Sequence, residues 1–214
     1  MKSRSPQIGP RRIDINTVQI IRRIALYVLG VIMSVVLLRV QAAWGQDRLE
    51  RTALTACGTT LLCMAIICRV WASLYISNRK NSELVTLGPY SLTRNPLYLS
   101  SVIGAFGAML QFGSIVVSVF IAFMVYLIFL AVIIQEERLL SSLYEGAYEK
   151  YREEVPRFWP RWTRPRSVAT LPVTVALVMR TVVDCSFLFA TVPLSELTAV
   201  LQSRFPELVL FRLP

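Results

Sequence analysis

No charged residue occurs from Leu97 to Ile134, a run of 38 residues. Drawn as one helix it would extend roughly 57 Å, against a hydrocarbon core of about 30 Å. The run must therefore fold back on itself, and Gln111-Phe112-Gly113-Ser114 supplies the turn. This predicts a short helix over Leu97–Leu110 and a full membrane span over Ser114–Gln135. The fold-back returns Arg94 and the pair Glu136-Glu137 to the same membrane face.

Other apolar runs extend the pattern. Ile24–Trp44 predicts a first transmembrane helix with Trp44 at the far interface. A signal peptide with Val40-Gln41-Ala42 as its cleavage site fits less well, because the basic segment is long and Arg39 interrupts the approach. Gly45–Arg51 is a polar loop and Ala53–Ile76 a second helix, in which Arg69 either snorkels to the headgroups or lines a polar cavity. Two X-Pro steps, Gly88-Pro89 and Asn95-Pro96, predict non-helical backbone at the membrane edge. Ser100, Gly104 and Ala108, with Ser101 and Ala105, put small residues on a stripe that lets a neighbouring helix come close; a groove for a ligand tail is the alternative. Beyond Gln135 the chain is polar to Arg166. Tyr144, Tyr148 and Tyr151 line one face of a helix expected over Arg138–Glu154, lying on lipid or capping the bundle, and Val155–Pro160 breaks it. Leu171–Val192 reads as a fifth span, with Arg180 and Asp184 paired at i, i+4. The resulting organisation is a basic segment 1–23, a membrane domain 24–192 and a C-terminal tail 193–214.

Composition supports an integral membrane protein: 55% of the 214 residues are hydrophobic, and the mean hydropathy is +0.55. Alternating ten-residue barrel strands are absent, so the fold class is all-α, a polytopic bundle of about five transmembrane helices. The net charge of +10 would suggest nucleic acid in a soluble chain. Here it reads as basic loops that set topology and meet anionic headgroups, with no nucleic-acid partner. The positive-inside rule places residues 1–23, the 78–96 loop and the arginine-rich 135–166 segment in the cytoplasm. The chain has no histidine, which removes histidine triads, bases and metal ligands. Cys57, Cys63, Cys68 and Cys185 form no CxxC pair and are expected to be buried small apolar residues; no metal site is predicted.

Tyr90, Arg94, Asn95 and Tyr98 bring donors to one membrane face, Glu136 and Glu137 bring acceptors, and Arg157 and Trp159 follow from the next segment. Guanidinium forks suit carboxylate or phosphate, carboxylates suit an ammonium or a ribose diol, and aromatic rings suit cations and adenine. The same residues would also serve as interfacial anchors or a solvated helix end.

The string Leu87-Gly88-Pro89-Tyr90-Ser91-Leu92-Thr93-Arg94-Asn95-Pro96-Leu97-Tyr98-Leu99 resembles the signature of the isoprenylcysteine carboxyl methyltransferase and phospholipid methyltransferase families. Glu136-Glu137-Arg138, Glu145–Tyr151 and Val155–Pro160 resemble that signature's later motifs, in order, so the resemblance covers about residues 69 to 160. Asn95 stands where the eukaryotic carboxyl methyltransferases have histidine, and Ser100 where a glycine is usual.

The resemblance implies S-adenosylmethionine-dependent methyl transfer to a lipid or lipid-tethered carboxylate or amine, from a cytoplasmic-face pocket in a multi-pass protein of the bacterial inner membrane. It implies cofactor contacts at Gly88, Pro89, Tyr90, Asn95, Pro96, Tyr98, Glu136, Glu137 and Arg157. Arg94 would orient an acidic acceptor or the cofactor carboxylate, and Arg94, Glu136 and Glu137 form the catalytic set. Membrane sterol-type reductases, which use a nicotinamide cofactor, share a related string; Asn95, Leu97 and Ser101 replace its histidine, asparagine and glutamate. A non-catalytic membrane scaffold is the third reading.

Overall fold

A computed structural model describes residues 15–42, 49–77, 83–144, 146–166 and 174–213. The basic stretch before Ile15, Trp44, most of the 45–51 loop, Asn78–Ser82, Glu145 and Leu171–Val173 lie outside the described residues. The helices are α1 (Ile15–Arg39), α2 (Leu49–Ile76), α3 (Pro96–Leu110), α4 (Ile115–Leu143), α5 (Ala147–Glu154), α6 (Val175–Ser186) and α7 (Thr191–Arg204). Among the described residues the sheet content is one parallel pair, β1 (Val40–Ala42) with β2 (Phe211–Leu213), in register Val40 to Phe211. Among the described residues four stretches are long and apolar enough to cross a bilayer: Gln19–Arg39, Leu49–Ile76, Ile115–Leu143 and Val178–Arg204. Together with the short apolar α3 they make the expected all-α polytopic bundle.

The hairpin α3–α4 turns where the sequence places it. Gly113 takes φ +78°, and Ser114 caps α4 by accepting from the Val117 N–H at 3.3 Å. Packing of α3 against α2 follows from small residues. A Cβ on Gly58 would lie 2.7 Å from the Gly107 carbonyl oxygen, and one on Gly107 would lie 2.8 Å from the Gly58 carbonyl oxygen. The two backbones therefore touch, and Ser100, Gly104 and Ala108 are buried in the same seam. The stripe packs helices, as its first reading has it.

The core sits between α1 and α4: Met33 and Leu37 meet Val117, Ile121, Val125, Phe129 and Ile133, and Phe158 enters from below. Its far end is closed by the C-terminus, where the Gln202 amide donates to the carbonyls of Leu37 and Val40, each at 2.9 Å.

Three expectations change. The fifth span is Val178–Arg204 rather than Leu171–Val192, so residues 193–204 continue the helical path. Pro193 falls in the first turn of α7, where its missing N–H costs nothing, and a 3-10 turn over Phe187–Ala190 joins α6 to α7. The Arg180–Asp184 pair is present, at 4.0 Å. The helix expected over Arg138–Glu154 is two: α4 runs on to Leu143, and Gly146 at φ +72° breaks the path before α5. Tyr148 and Tyr151 are buried against Leu84 and Leu140, so the aromatic face caps the bundle. Of the cysteines only Cys185 is buried; Cys57 and Cys63 are exposed on α2 and Cys68 is intermediate.

Candidate active site

The motif loop is built before any charge is placed. Gly88 takes φ +61°, and a Cβ there would meet the Tyr75 ring at 2.4 Å, so glycine is required on both counts. Residues Gly88–Ser91 form a 3-10 turn, and Pro96 occupies the first position of α3, where no donor is needed.

Residues 155–166, a strap after α5, run along this loop and tie it down. The Arg94 N–H donates to the Pro156 carbonyl at 2.9 Å, Arg161 N–H to Leu92 at 3.0 Å and Gly88 N–H to Arg166 at 2.6 Å. The Asn95 side-chain amide donates to the Arg157 carbonyl at 2.9 Å, and the Thr93 hydroxyl to the Phe158 carbonyl at 3.0 Å. From α5 the Tyr151 hydroxyl donates to the Tyr90 carbonyl at 2.7 Å. Phe158 is the wedge that sets the strap's depth, with its ring 4.8 Å from that of Tyr126 on α4. The strap is therefore seated against α4 through Phe158.

Between loop, strap and α4 the charges converge. Glu137 is 8% exposed. Its Oε1 lies 3.2 Å from Arg94 Nη1, and its Oε2 receives Arg157 Nη2 at 2.9 Å and Nε at 3.0 Å. The Arg94 side chain is 9% exposed and that of Arg157 44%. Arg94 Nη1 and Glu137 Oε1 are held by charge without an aligned hydrogen bond, and Arg94 Nε and the hydroxyls of Tyr90 and Tyr148 are also buried without a partner. Burial pushes the Tyr90 phenol well above its ordinary range, helped by the Glu136 charge. Burial does the same to Tyr151, helped by Tyr90, and raises Tyr148, helped by the Glu137 charge. All three are neutral phenols at neutral pH, able to donate and unable to act as bases.

Glu136 faces a second cluster. It accepts from the Gln19 side-chain amide at 2.7 Å and lies beside the Tyr98 hydroxyl. Tyr98 in turn accepts from Arg22 Nη1 at 3.2 Å, and the Arg22 guanidinium stands 5.9 Å from the centre of its ring.

The structure therefore brings Tyr90, Arg94, Tyr98, Glu136, Glu137 and Arg157 together. It spends others on support. The face of Gly88 is covered by Tyr75, Pro96 starts a helix, and the Asn95 amide ties the strap. Trp159 is exposed, with its ring edge on Phe158. Arg69 turns into the α2–α3 seam, where it donates to the Leu97 carbonyl and the Ser101 hydroxyl instead of reaching the headgroups.

Sequence reasoning missed Gln19 and Arg22 altogether. Their signal was a stripe: Gln19, Arg22, Leu26, Leu29, Met33, Val36 and Val40 recur at three- and four-residue steps, and from Leu26 onward the stripe packs into the core. The two polar members continue that face into the site.

A family model for phospholipid methyltransferases matches residues 53–147. The nickel-cobalt-cadmium resistance protein NccN of Alcaligenes xylosoxydans xylosoxydans is 36% identical over 156 residues, which is 72% of this chain and 73% of that protein. The cobalt-zinc-cadmium resistance protein CzcN of Cupriavidus metallidurans is 38% identical over 121 residues, 56% of each chain. Protein-S-isoprenylcysteine O-methyltransferase of Schizosaccharomyces pombe is 31% identical over 83 residues, 38% of this chain and 35% of that one. No solved structure matches. The matched segment holds the hairpin, the loop and the glutamate pair just described, and with these relatives it shows that the chain belongs to the phospholipid methyltransferase family.

Proposed function

We propose that this protein transfers a methyl group from S-adenosylmethionine to a lipophilic, membrane-held acceptor at the cytoplasmic face of a bacterial inner membrane. The observation that carries the reading is the buried Arg94–Glu137–Arg157 cluster, set at the end of a membrane span and ringed by unpartnered polar atoms. Buried polar groups ordinarily find partners, so a set of orphans at one point fits a ligand that supplies them. Their chemistry suits the amino-acid end of the cofactor. Arg94 Nε and the Tyr90 and Tyr148 hydroxyls offer donors to a carboxylate, and Glu137 Oε1 offers an acceptor to an ammonium or a ribose hydroxyl.

When bound, the cofactor supplies a methyl group on a sulfonium, open to in-line displacement. The protein's part is to orient the donor, exclude water and present the acceptor. Neither glutamate is free to serve as a base: Glu137 is clasped by two guanidinium groups and Glu136 is held by Gln19. An acceptor that is already ionised needs none. Charge balance favours the same class. Arg22, Arg69, Arg94 and Arg157 stand against Glu136 and Glu137, so positive charge is in excess before the cofactor adds more. An acidic acceptor, a carboxylate above all, is drawn to that field and an ammonium is repelled.

Orientation rests on the arginine-rich strap and the basic N-terminus, both on the positive-inside side. Two relatives are named for metal resistance. The chain has no histidine, and among the described residues no three of Cys, Asp and Glu converge. Methylation of a membrane component is the form in which such a role would fit the reading proposed here.

The test is calorimetric titration of the purified protein with S-adenosylmethionine and, separately, NADPH, followed by a labelled-methyl assay on membrane extract. Binding of S-adenosylmethionine that weakens about tenfold or more in Glu137→Gln, with label entering the lipid fraction, is the expected result. Binding of NADPH alone favours the reductase, and binding of neither favours the scaffold.

A further inference from the structure

The first helix lies outside the residues matched by the family model, yet it reaches the site. Its register explains why. The stripe that buries Leu26, Leu29, Met33 and Val36 against α4 continues one turn further to Arg22 and Gln19, at the boundary of the span that begins with Gln19. The polar pair therefore faces Glu136 and Tyr98, at the end of α1 closest to the lipid headgroups.

The cations around the site are not equivalent. Arg94 and Arg157 are both committed to Glu137, and Arg69 to the Leu97 carbonyl and the Ser101 hydroxyl. Among the described residues Arg22 donates only to the Tyr98 hydroxyl, and no carboxylate lies within ion-pair distance of it. It is half-buried, and the α1 residues beside it, Ile20, Ile21 and Ile24, are exposed apolar side chains on the lipid-facing surface. A guanidinium with spare donors, placed where an acyl or prenyl tail would run along α1, is built to meet an anion on a lipid.

We propose that α1 is the acceptor-recognition element, with Arg22 binding the acidic headgroup of a membrane-borne acceptor and Gln19 acting as a positioning residue that holds Glu136 against Tyr98. This rests on the methyl-transfer reading above, but its own content is anion binding by α1, which can be measured without turnover.

The probe is a photoreactive oleate in phosphatidylcholine nanodiscs carrying the full chain, compared with the matching photoreactive alcohol. The acid labels the segment around Arg22 and Tyr98 at least about tenfold more than the alcohol does. Arg22→Gln abolishes the difference, and Arg22→Lys restores part of it. Excess soluble acetate or phosphate leaves the labelling intact, because the tail delivers the anion. Equal labelling by acid and alcohol in the wild-type protein overturns the proposal without recourse to any variant. Acid-selective labelling that survives Arg22→Gln overturns the assignment to Arg22, and competition by soluble anion overturns a lipid-borne source. S-adenosylmethionine titration of the wild-type protein separates the two ideas: absence of binding defeats the methyl-transfer reading, whereas acid-selective labelling lost in Arg22→Gln is the result expected of anion binding by α1, with or without the cofactor.

Discussion

Glu137→Gln isolates the energetics of the buried cluster. The substitution preserves shape and removes one charge. At 3.2 Å and an effective dielectric constant near 20, the attraction between Glu137 and Arg94 is about 5 kcal/mol before desolvation is set against it. The bond to Arg157 is worth about 1 kcal/mol or less, since that side chain is 44% exposed and water screens it. What the variant does is strand Arg94, 9% exposed, without a counter-charge. Breaking a buried pair from one side costs about 3–5 kcal/mol. In a chain of this size that lowers the melting temperature by roughly 10 °C. The assay is thermal unfolding of the detergent-purified protein, followed by size-exclusion chromatography of the surviving folded protein. A control completes the argument: Arg94→Met combined with Glu137→Gln removes the stranded charge and recovers more than half of the lost stability. If Glu137→Gln melts close to the wild type, or if the double variant is no better than the single, the cluster is not the buried ion pair described.

Two further outcomes follow from the fold. Gly58→Ala forces a Cβ to within 2.7 Å of the Gly107 carbonyl, so α2 and α3 must separate; overpacking of this kind costs about 1–3 kcal/mol and lowers the melting temperature, whereas Gly30→Ala, which meets nothing within 4 Å, does not destabilise. Tyr90, Tyr148 and Tyr151 are held protonated by burial, so their contribution to stability is complete below about pH 10, the ordinary tyrosine pKa. It is lost as pH rises beyond that, because the unfolded chain releases protons that the folded chain retains. Near-ultraviolet tyrosinate absorbance followed alongside unfolding checks this, and ionisation of all three in the intact fold at ordinary pH would contradict it.

Hydropathy made the hairpin legible because length alone forbids the alternative: an uncharged run of 38 residues must turn, and Gly113 with Ser114 is where it can. The same reasoning placed Arg94 and Glu137 on one face. It failed at Pro193, taken as the end of a helix although a first-turn proline is compatible with one, and at Gly146, which splits a run of good helix formers through a single positive φ. Both are questions of where one residue sits within a turn, and periodicity does not resolve that.

The harder failure was in sharing out the charges. Sequence places six or more polar groups near one membrane face but does not say which of them neutralise each other. That is decided by the strap, whose bonds join residues more than sixty positions apart, such as Thr93 to Phe158 and Asn95 to Arg157. Once the strap is seated, Arg157 must lie on Glu137, and Arg94 is closed in beneath it. The arginine that looked free to hold an acidic acceptor is then the more buried half of an ion pair, and among the described residues of the site the cation left over is Arg22, from a helix the motifs do not include. The loop's polar residues consequently divide by what the backbone already asks of them. Thr93 and Asn95 are consumed in fastening the strap, and groups with no backbone to satisfy, the ends of Tyr90, Arg94, Tyr148 and Glu137, are the ones left with capacity to meet a ligand.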